Sequence, residues 1–189
     1  MFEEFATRYS LNWCRVPEGA SKTPDYHLTV GEISVAVEIE QIESTRGFNP
    51  GGVSSRTVGS HIRQKIADAR PQIREAAKAG MPAILLVHNT VDPLQLFGTE
   101  QHDFLSAMYG ELTVRIHRQS LQRTPAFHGR NSTLREGFNT SFSGVGHLRR
   151  TTAGAKIVIY ENVYAANPLP FSLLPASLEV VRVEIEHAA

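Results

Sequence analysis

Residues 23–43, TPDYHLTVGEISVAVEIEQIE, consist of two runs of alternating apolar and polar side chains joined at Gly31-Glu32. Alternation with a period of two is typical of β-strands that have one buried face. A two-residue connection that contains glycine favours a tight hairpin, because glycine readily adopts the positive φ that such turns require. This stretch therefore predicts two antiparallel strands in which Val30 pairs with Ile33 and the other pairs follow in register.

The predicted register brings acidic side chains together. Asp25 lies opposite Glu38, and directly opposed residues point to the same side of a sheet. Glu40 shares that side, roughly 7 Å along the strand from Glu38. Two negative charges about 5 Å apart repel by on the order of 3 kcal/mol at an effective dielectric constant near 20. Such a group is tolerated if a cation binds, if one carboxyl stays protonated or if solvent screens the charges.

The tetrapeptide VEIE occurs twice, at Val37–Glu40 and at Val183–Glu186. The second copy has no acidic partner at hairpin distance, so it predicts only a solvent-facing strand near the C-terminus. A Glu-x-Glu pair alone is therefore not specific. Pro24-Asp25 distinguishes the first copy, and its grouped hard oxygen atoms suit Mg²⁺ or Mn²⁺ better than zinc.

The remaining sequence predicts an α/β or α+β fold with a central mixed sheet and flanking helices. Ser60 is the predicted N-cap of a helix, with Pro71 kinking or dividing it and Gly80 ending it. Its apolar stripe is predicted to consist of Ile62, Ile66, Ala69, Ile73 and Ala77. The other predicted elements are a helix over residues 1–10, strands over 11–16, 82–87 and 112–118, a helix over 100–109, an Arg-rich loop over 119–142, two strands flanking Ala153-Gly154, and a last strand from Leu178 to Glu186.

The charges are unevenly distributed although the net charge is zero. Residues 1–48 carry eight acidic and four basic residues, whereas residues 111–150 carry seven arginines and two glutamates. An acidic region beside a basic one suits a metal site next to a phosphate-binding surface. An arginine-rich solvated surface without a partner explains the same distribution equally well.

Cysteine usage and hydropathy bear on the cellular compartment. Cys14 is the only cysteine, so no intrachain disulfide can form, which suits a reducing compartment. Glu3 and Glu4 stand where a secretory signal would have basic residues, and the longest apolar run is too short to cross a membrane. We therefore expect a soluble, cytoplasmic protein with no membrane partner.

TPDYHL followed by VAVEIEQIE resembles the PD-(D/E)XK nuclease superfamily, which has the restriction-endonuclease-like fold. The predicted element order over residues 1–118, α-β-β-β-α-β, is similar to the core of that family. Residues 119–189 would then be an Arg-rich loop and a C-terminal strand extension of the same domain. The resemblance implies that Asp25 and Glu38 bind Mg²⁺ or Mn²⁺ and that the carbonyl of Ile39 supplies a further oxygen.

Glu40 departs from the family pattern, because it occupies the position of the usual lysine, which orients or activates the attacking water. Some active restriction enzymes have glutamate there, and in other members the lysine comes from the following helix. Lys65 is the candidate for such a lysine, although a solvated helix lysine is the alternative explanation. Glu40 itself would be a further metal ligand or the base that accepts the proton of the water.

The resemblance implies Mg²⁺-dependent hydrolysis of phosphodiester bonds in nucleic acid, with DNA as the expected partner. A catalytically inactive module of the same fold, binding nucleic acid or a protein, is the first alternative. A metal-dependent hydrolase of another substrate is the second, because zero net charge is unusual for a strong DNA-binding protein. A homodimer remains open. The arginines expected to contact nucleic acid are Arg56, Arg115, Arg118, Arg123, Arg130, Arg149 and Arg150.

Overall fold

The computed structural model describes residues 1–17, 19, 22–43, 56–92 and 97–185. These residues form three α-helices and nine strands, with a 3₁₀ turn at Phe171–Leu173. The helices are α1 (Phe2–Arg8), α2 (Ser60–Lys78) and α3 (Gln101–Tyr109). The strands are β1 (Asn12–Arg15), β2 (Tyr26–Val30), β3 (Ile33–Ile42), β4 (Ala83–Asn89), β5 (Leu112–Thr113), β6 (Phe127–His128), β7 (Gly144–Thr151), β8 (Gly154–Glu161) and β9 (Leu178–Val181).

Seven of these strands form one mixed sheet in the order β1-β2-β3-β4-β7-β8-β9. Strands β3, β4 and β7 run parallel, as do β8 and β9, while the other neighbouring pairs are antiparallel. Helices cover the sheet, so the predicted α+β class with a central mixed sheet is confirmed. The first six elements also follow the predicted order α-β-β-β-α-β.

The hairpin of β2 and β3 has the predicted register. Val30 pairs with Ile33, and the ladder continues without a bulge to the pair of Tyr26 and Val37. Gly31 has a φ of 61°, the left-handed conformation that glycine adopts without steric strain. The local turn therefore sets which residues of the two strands share a face.

The two faces of the sheet pack against different helices. Val35 and Val37 of β3 join a buried apolar cluster with Phe5 of α1. Ala36, on the other face, joins a second cluster with Ile62 of α2 and with residues of α3. Because side chains alternate along a strand, Glu38 and Glu40 lie on the face that α2 and α3 cover.

Helix α2 differs in detail from the prediction. It begins at Ser60 and is preceded by Gly59 in the left-handed conformation, so Ser60 is the first helical residue rather than the cap. Pro71 does not divide it: the helix continues from Ser60 to Lys78. Pro71 is exposed, so solvent can hydrogen-bond the carbonyl that lacks a partner N–H. The predicted stripe of Ile62, Ile66, Ala69 and Ile73 is buried, with Ala76 buried instead of Ala77.

Two predicted strands are wrong in extent. Residues 112–118 were expected to form a strand of seven residues, but β5 ends after two and pairs only with β6, outside the main sheet. The apolar side chains whose alternation predicts a strand with one buried face are exposed: Leu112 is 69% and Ile116 56% exposed. The last strand ends at Val181 rather than at Glu186, which lies outside the described residues.

Candidate active site

Asp25 and Glu38 face each other where the ladder between β2 and β3 ends. The backbone N–H of Ile39 donates a hydrogen bond to Oδ2 of Asp25 at 2.9 Å. In return, the backbone N–H of Asp25 donates to Oε2 of Glu38 at 3.2 Å. Side-chain carboxylates thus take the place of the next backbone hydrogen bonds, which fixes Glu38 of β3 against Asp25, the residue immediately before β2.

The carbonyl of Ile39 belongs to the same site. In an antiparallel pair the N–H and C=O of one residue point towards the same neighbouring strand. Because the N–H of Ile39 reaches Asp25, its carbonyl also faces the side where the ladder has ended. Backbone geometry thus turns the carbonyl of Ile39 towards Asp25, and its role as a metal ligand stays a prediction of the resemblance.

Glu38 is the buried acid of the site, with 5% of its surface exposed. Its pKa is raised from 4.5 to about 8, first by burial and then by the negative charges of Asp25 and Glu40, while the hydrogen bond from the N–H of Asp25 lowers it. An ionised Glu38 is therefore unfavourable unless a positive charge compensates for it. A bound cation would provide such a charge.

Lys65 reaches the acidic face from α2. Its Nζ lies 3.0 Å from Oε2 of Glu40 and 3.5 Å from Oδ2 of Asp68, and only 22% of its side chain is exposed. Burial lowers the pKa of Lys65, but hydrogen bonds and charge interactions with Glu40 and Asp68 outweigh burial and raise it overall. Lys65 is therefore a protonated partner of Glu40 rather than a solvated lysine.

The carboxylates of Asp25, Glu38 and Glu40 do not converge as a compact triad. Within the described residues, the one group of three potential metal ligands whose atoms lie within 4.8 Å of one another is Glu100, His102 and Asp103. Glu40 instead reaches towards Lys65. The geometry thus groups Asp25 with Glu38, and Glu40 with Lys65.

Glu100, His102 and Asp103 could hold a metal ion, but Asp103 also has a structural role. Its carboxylate accepts hydrogen bonds from the guanidinium of Arg56, from the N–H of Gly59 at 2.9 Å and from the N–H of Glu100 at 3.3 Å. Together with Glu100 it forms the capping box of α3. A metal would have to compete with these donors.

A cleft of about 300 Å³ lies beside the pair of Glu40 and Lys65. It is lined by Gln41, Ile42, Glu43, His61, Gln64 and Lys65. His61 is not among the predicted site residues, although it lies one helical turn before Lys65 and therefore on the same face of α2. The ring lies against Gly98, where a Cβ would come within 3.0 Å of it. Lys65, which lines the cleft, also hydrogen-bonds Glu40.

The predicted nucleic-acid-binding arginines fall into three places. Arg56 binds Asp103, with Nη2 at 3.1 Å from Oδ2, and its guanidinium lies 4.6 Å from the ring centroid of Phe97. Arg149 and Arg150 are adjacent on β7 and point to opposite faces, with Arg150 lying 4.0 Å from Glu4 of α1. The remaining four are on one exposed segment: Arg115, Arg118, Arg123 and Arg130.

His147 precedes Arg149 on the same face of β7, and both carry a buried nitrogen without a hydrogen-bond partner in the described structure. The ring of His147 lies 5.8 Å from that of Phe104 on α3. Burial, followed by the charges of Arg149 and His88, lowers the pKa of His147 from 6.5 to about 4. His147 is therefore neutral at physiological pH.

The second copy of VEIE does not form a strand over the three residues that are described, Val183, Glu184 and Ile185. Val183 and Ile185 pack against the α2-side cluster, and Glu184 is exposed. The expected strand face is therefore absent there. Glu184 does provide an exposed glutamate in the same local sequence as Glu38.

Comparison of the chain with known protein families, with curated proteins and with solved structures finds no match. The geometry of the described residues is therefore the basis for a functional proposal. None of the helices in the described ranges is both long enough and apolar enough to span a bilayer.

Proposed function

We propose that this protein is a nuclease that depends on Mg²⁺ or Mn²⁺ and hydrolyses phosphodiester bonds of nucleic acid, with DNA as its substrate. The observation that carries the proposal is the buried Glu38, held against Asp25 at the start of the neighbouring strand, with Lys65 hydrogen-bonded to Glu40 on the same face. This arrangement is what the resemblance to the PD-(D/E)XK superfamily implies, including a lysine that comes from the following helix.

The donor set fits a hard divalent cation. Oδ2 of Asp25 accepts from the N–H of Ile39 and Oε2 of Glu38 accepts from the N–H of Asp25, so the second oxygen of each carboxylate is not engaged in these bonds. The carbonyl of Ile39 adds a neutral oxygen, and Mg²⁺ prefers such oxygen ligands. A bound divalent cation supplies Lewis-acid polarisation of a phosphate and lowers the pKa of coordinated water.

Lys65 contributes positive charge rather than a base. Because its pKa is raised by Glu40 and Asp68 after the opposing effect of burial, its ammonium stays protonated at neutral pH. A fixed ammonium stabilises negative charge that develops on a phosphate during hydrolysis. Glu40 would then act by orienting Lys65, which is a different role from that of a direct metal ligand.

An inactive module of the same fold that binds nucleic acid or a protein is the alternative. It is favoured by the direct pairing of Glu40 with Lys65, because that pair can neutralise itself and leaves only two carboxylates for a cation. A hydrolase of another substrate is compatible with the same donor set. Cleavage of phosphodiester bonds distinguishes the proposed nuclease from both alternatives.

The test is cleavage of plasmid, linear duplex, single-stranded DNA and RNA with Mg²⁺ or Mn²⁺. We expect cleavage that EDTA abolishes, and a loss of roughly 100-fold or more in D25N, E38Q and K65M. E184Q is the matched control, since it removes an exposed glutamate from the other VEIE copy and should cleave normally. Calorimetry should detect Mn²⁺ binding to the wild type and to E184Q but not to E38Q.

Two results would contradict the proposal. Cleavage that survives D25N or E38Q would come from another site or from a contaminant. Salt-dependent binding of nucleic acid by the wild type with no cleavage of any substrate would favour the inactive module.

A further inference from the structure

Residues 111–130 fold back on themselves as a short, irregular two-stranded ribbon, which we call the arm: β5 and β6 pair at its base, and one isolated bridge joins Ile116 to Arg123 further out. Hydrogen bonds close its base, with the N–H of Glu111 donating to the carbonyl of Arg130 and the N–H of Gly129 donating to the carbonyl of Glu111, both at 2.9 Å. Further out, the N–H of His117 donates to the carbonyl of Gln122 at 2.8 Å. Every residue from 114 to 126 is exposed, so the arm is ordered by its own hydrogen bonds.

The surface of the arm combines aliphatic and cationic side chains. Leu112 and Leu121 are 69% and 73% exposed. Val114 and Ile116 are 45% and 56% exposed. A grouped set of exposed aliphatic side chains is characteristic of a surface that a partner covers.

The charge of the arm indicates the chemistry of that partner. The arm has four arginines and a single acidic residue, Glu111, in a chain whose net charge is zero. The side chain of Glu111 accepts a hydrogen bond from Asn131 at 2.7 Å, so it is already engaged at the base. A concentration of arginines on one projecting element is the electrostatic footprint of a polyanion.

The arm is joined to a helix that packs over the face of the sheet carrying Glu38 and Glu40. It begins directly after α3, whose residues pack with those of α2 on the face of the sheet that holds Glu38 and Glu40. The guanidinium of Arg115 lies 4.8 Å from the ring centroid of Phe127 across the ribbon, which stiffens its base. The arm is thus anchored at its base to the helical layer that covers the acid-bearing face of the sheet.

We propose that the arm enters the major groove of B-form duplex DNA, an inference that rests on the proposed nuclease function for its choice of nucleic acid. Two strands about 4.8 Å apart with their side chains fit a groove about 12 Å wide, which admits a two-stranded ribbon. Aliphatic side chains contact thymine methyl groups there, and arginines bind phosphates or guanine.

Other nucleic acids fit the arm less well. The major groove of A-form RNA is deep and narrow and does not admit such an element. Single strands are bound mainly by stacking on aromatic side chains. Phe127 is the only Phe, Tyr or Trp in the arm, and its ring is already covered by Arg115.

The experiment measures binding by fluorescence anisotropy in EDTA, so that cleavage plays no part. The probes are a labelled 20-base-pair DNA duplex, one of its strands alone and an RNA duplex. We compare the wild type with R118E/R123E, in which both changes are exposed, and with R74E/K78E, which alters the net charge equally on exposed positions of α2. I116Q tests the aliphatic contact without a change of charge.

We expect the wild type to bind the DNA duplex more tightly than the other two probes. R118E/R123E should weaken duplex binding by roughly 10-fold or more and reduce the slope of log K against log[salt] by about 2. I116Q should weaken binding with the slope unchanged, and R74E/K78E should bind like the wild type. Unchanged melting temperatures would show that the variants are folded.

Four outcomes would overturn the inference: equal binding of single strands or RNA, wild-type binding by R118E/R123E, an equal loss in R74E/K78E, or light scattering that shows R118E/R123E disrupting a dimer. The last would identify a second copy of the chain as the partner. E38Q separates this inference from the nuclease proposal, because it should bind the duplex normally in EDTA while losing cleavage. If the wild type binds the duplex but cleaves no substrate, the nuclease proposal fails and the inference about the arm stands.

Discussion

Replacing Glu38 with glutamine should stabilise the metal-free protein at alkaline pH. In the folded protein the pKa of Glu38 is about 8, compared with 4.5 for an ordinary glutamate. Because the pKa of this acid is raised in the folded state, its contribution to the free energy of unfolding is fully present below pH 4.5. That contribution is lost as pH rises towards 8. Glutamine stays neutral and can still accept the hydrogen bond from the N–H of Asp25, so E38Q avoids that loss.

The size of the effect follows from the change in pKa. At about 1.4 kcal/mol for each pH unit, a rise from 4.5 to about 8 corresponds to on the order of 3 to 5 kcal/mol in the free energy of unfolding. For a chain of this size, 1 kcal/mol changes the melting temperature by about 2 to 4 °C. We therefore expect E38Q to melt roughly 10 °C above the wild type at pH 8.5, with the difference vanishing below pH 4.5.

Thermal and urea unfolding in EDTA at several pH values between 4.5 and 8.5 measures this difference, with E184Q as the control for loss of an exposed glutamate. Millimolar Mg²⁺ should then stabilise the wild type and E184Q but not E38Q, since a ligand stabilises only the state that binds it. A lower melting temperature for E38Q at pH 8.5, or a difference that does not vary with pH, would refute the electrostatic explanation of this site.

Further predictions concern the neighbouring groups. Glu40→Gln and Lys65→Met should lower the cleavage rate by similar factors, and the double variant should lose little more; fully additive losses would mean that the two residues act separately. Asp103→Asn should lower the free energy of urea unfolding by about 3 kcal/mol, because it leaves Arg56 without its buried partner. His102→Ala, at an exposed position, should change it by less than about 0.5 kcal/mol. Equal effects of the two changes would exclude a stabilising role for the buried ion pair. Because the pKa of His147 is lowered to about 4, its contribution to stability is lost as pH falls from 6.5 towards 4. The free energy of unfolding should therefore fall less between pH 7 and pH 4 in His147→Leu than in the wild type. Parallel pH profiles of the two proteins would contradict this.

The sequence was sufficient for the features that depend on local backbone geometry. Gly31 and Glu32 define a two-residue turn, and a constant register along the hairpin up to Tyr26 and Val37 then brings Asp25 next to Glu38. The helical stripe from Ile62 to Ile73 is predictable for the same reason, since burial follows a fixed period. Half of the candidate site thus follows from residues close together in the sequence.

The other half depends on how distant elements pack. Lys65 meets Glu40 only because α2 lies across the sheet with that helix face turned towards β3, and Arg56 meets Asp103 across 47 residues of sequence. The alternating residues 112–118 illustrate the limit in another way: a period of two describes a ribbon in solvent as well as a strand in the core. Whether an apolar face is buried depends on what the rest of the chain places against it, and in the arm nothing in the described part of the chain covers Leu112 or Ile116.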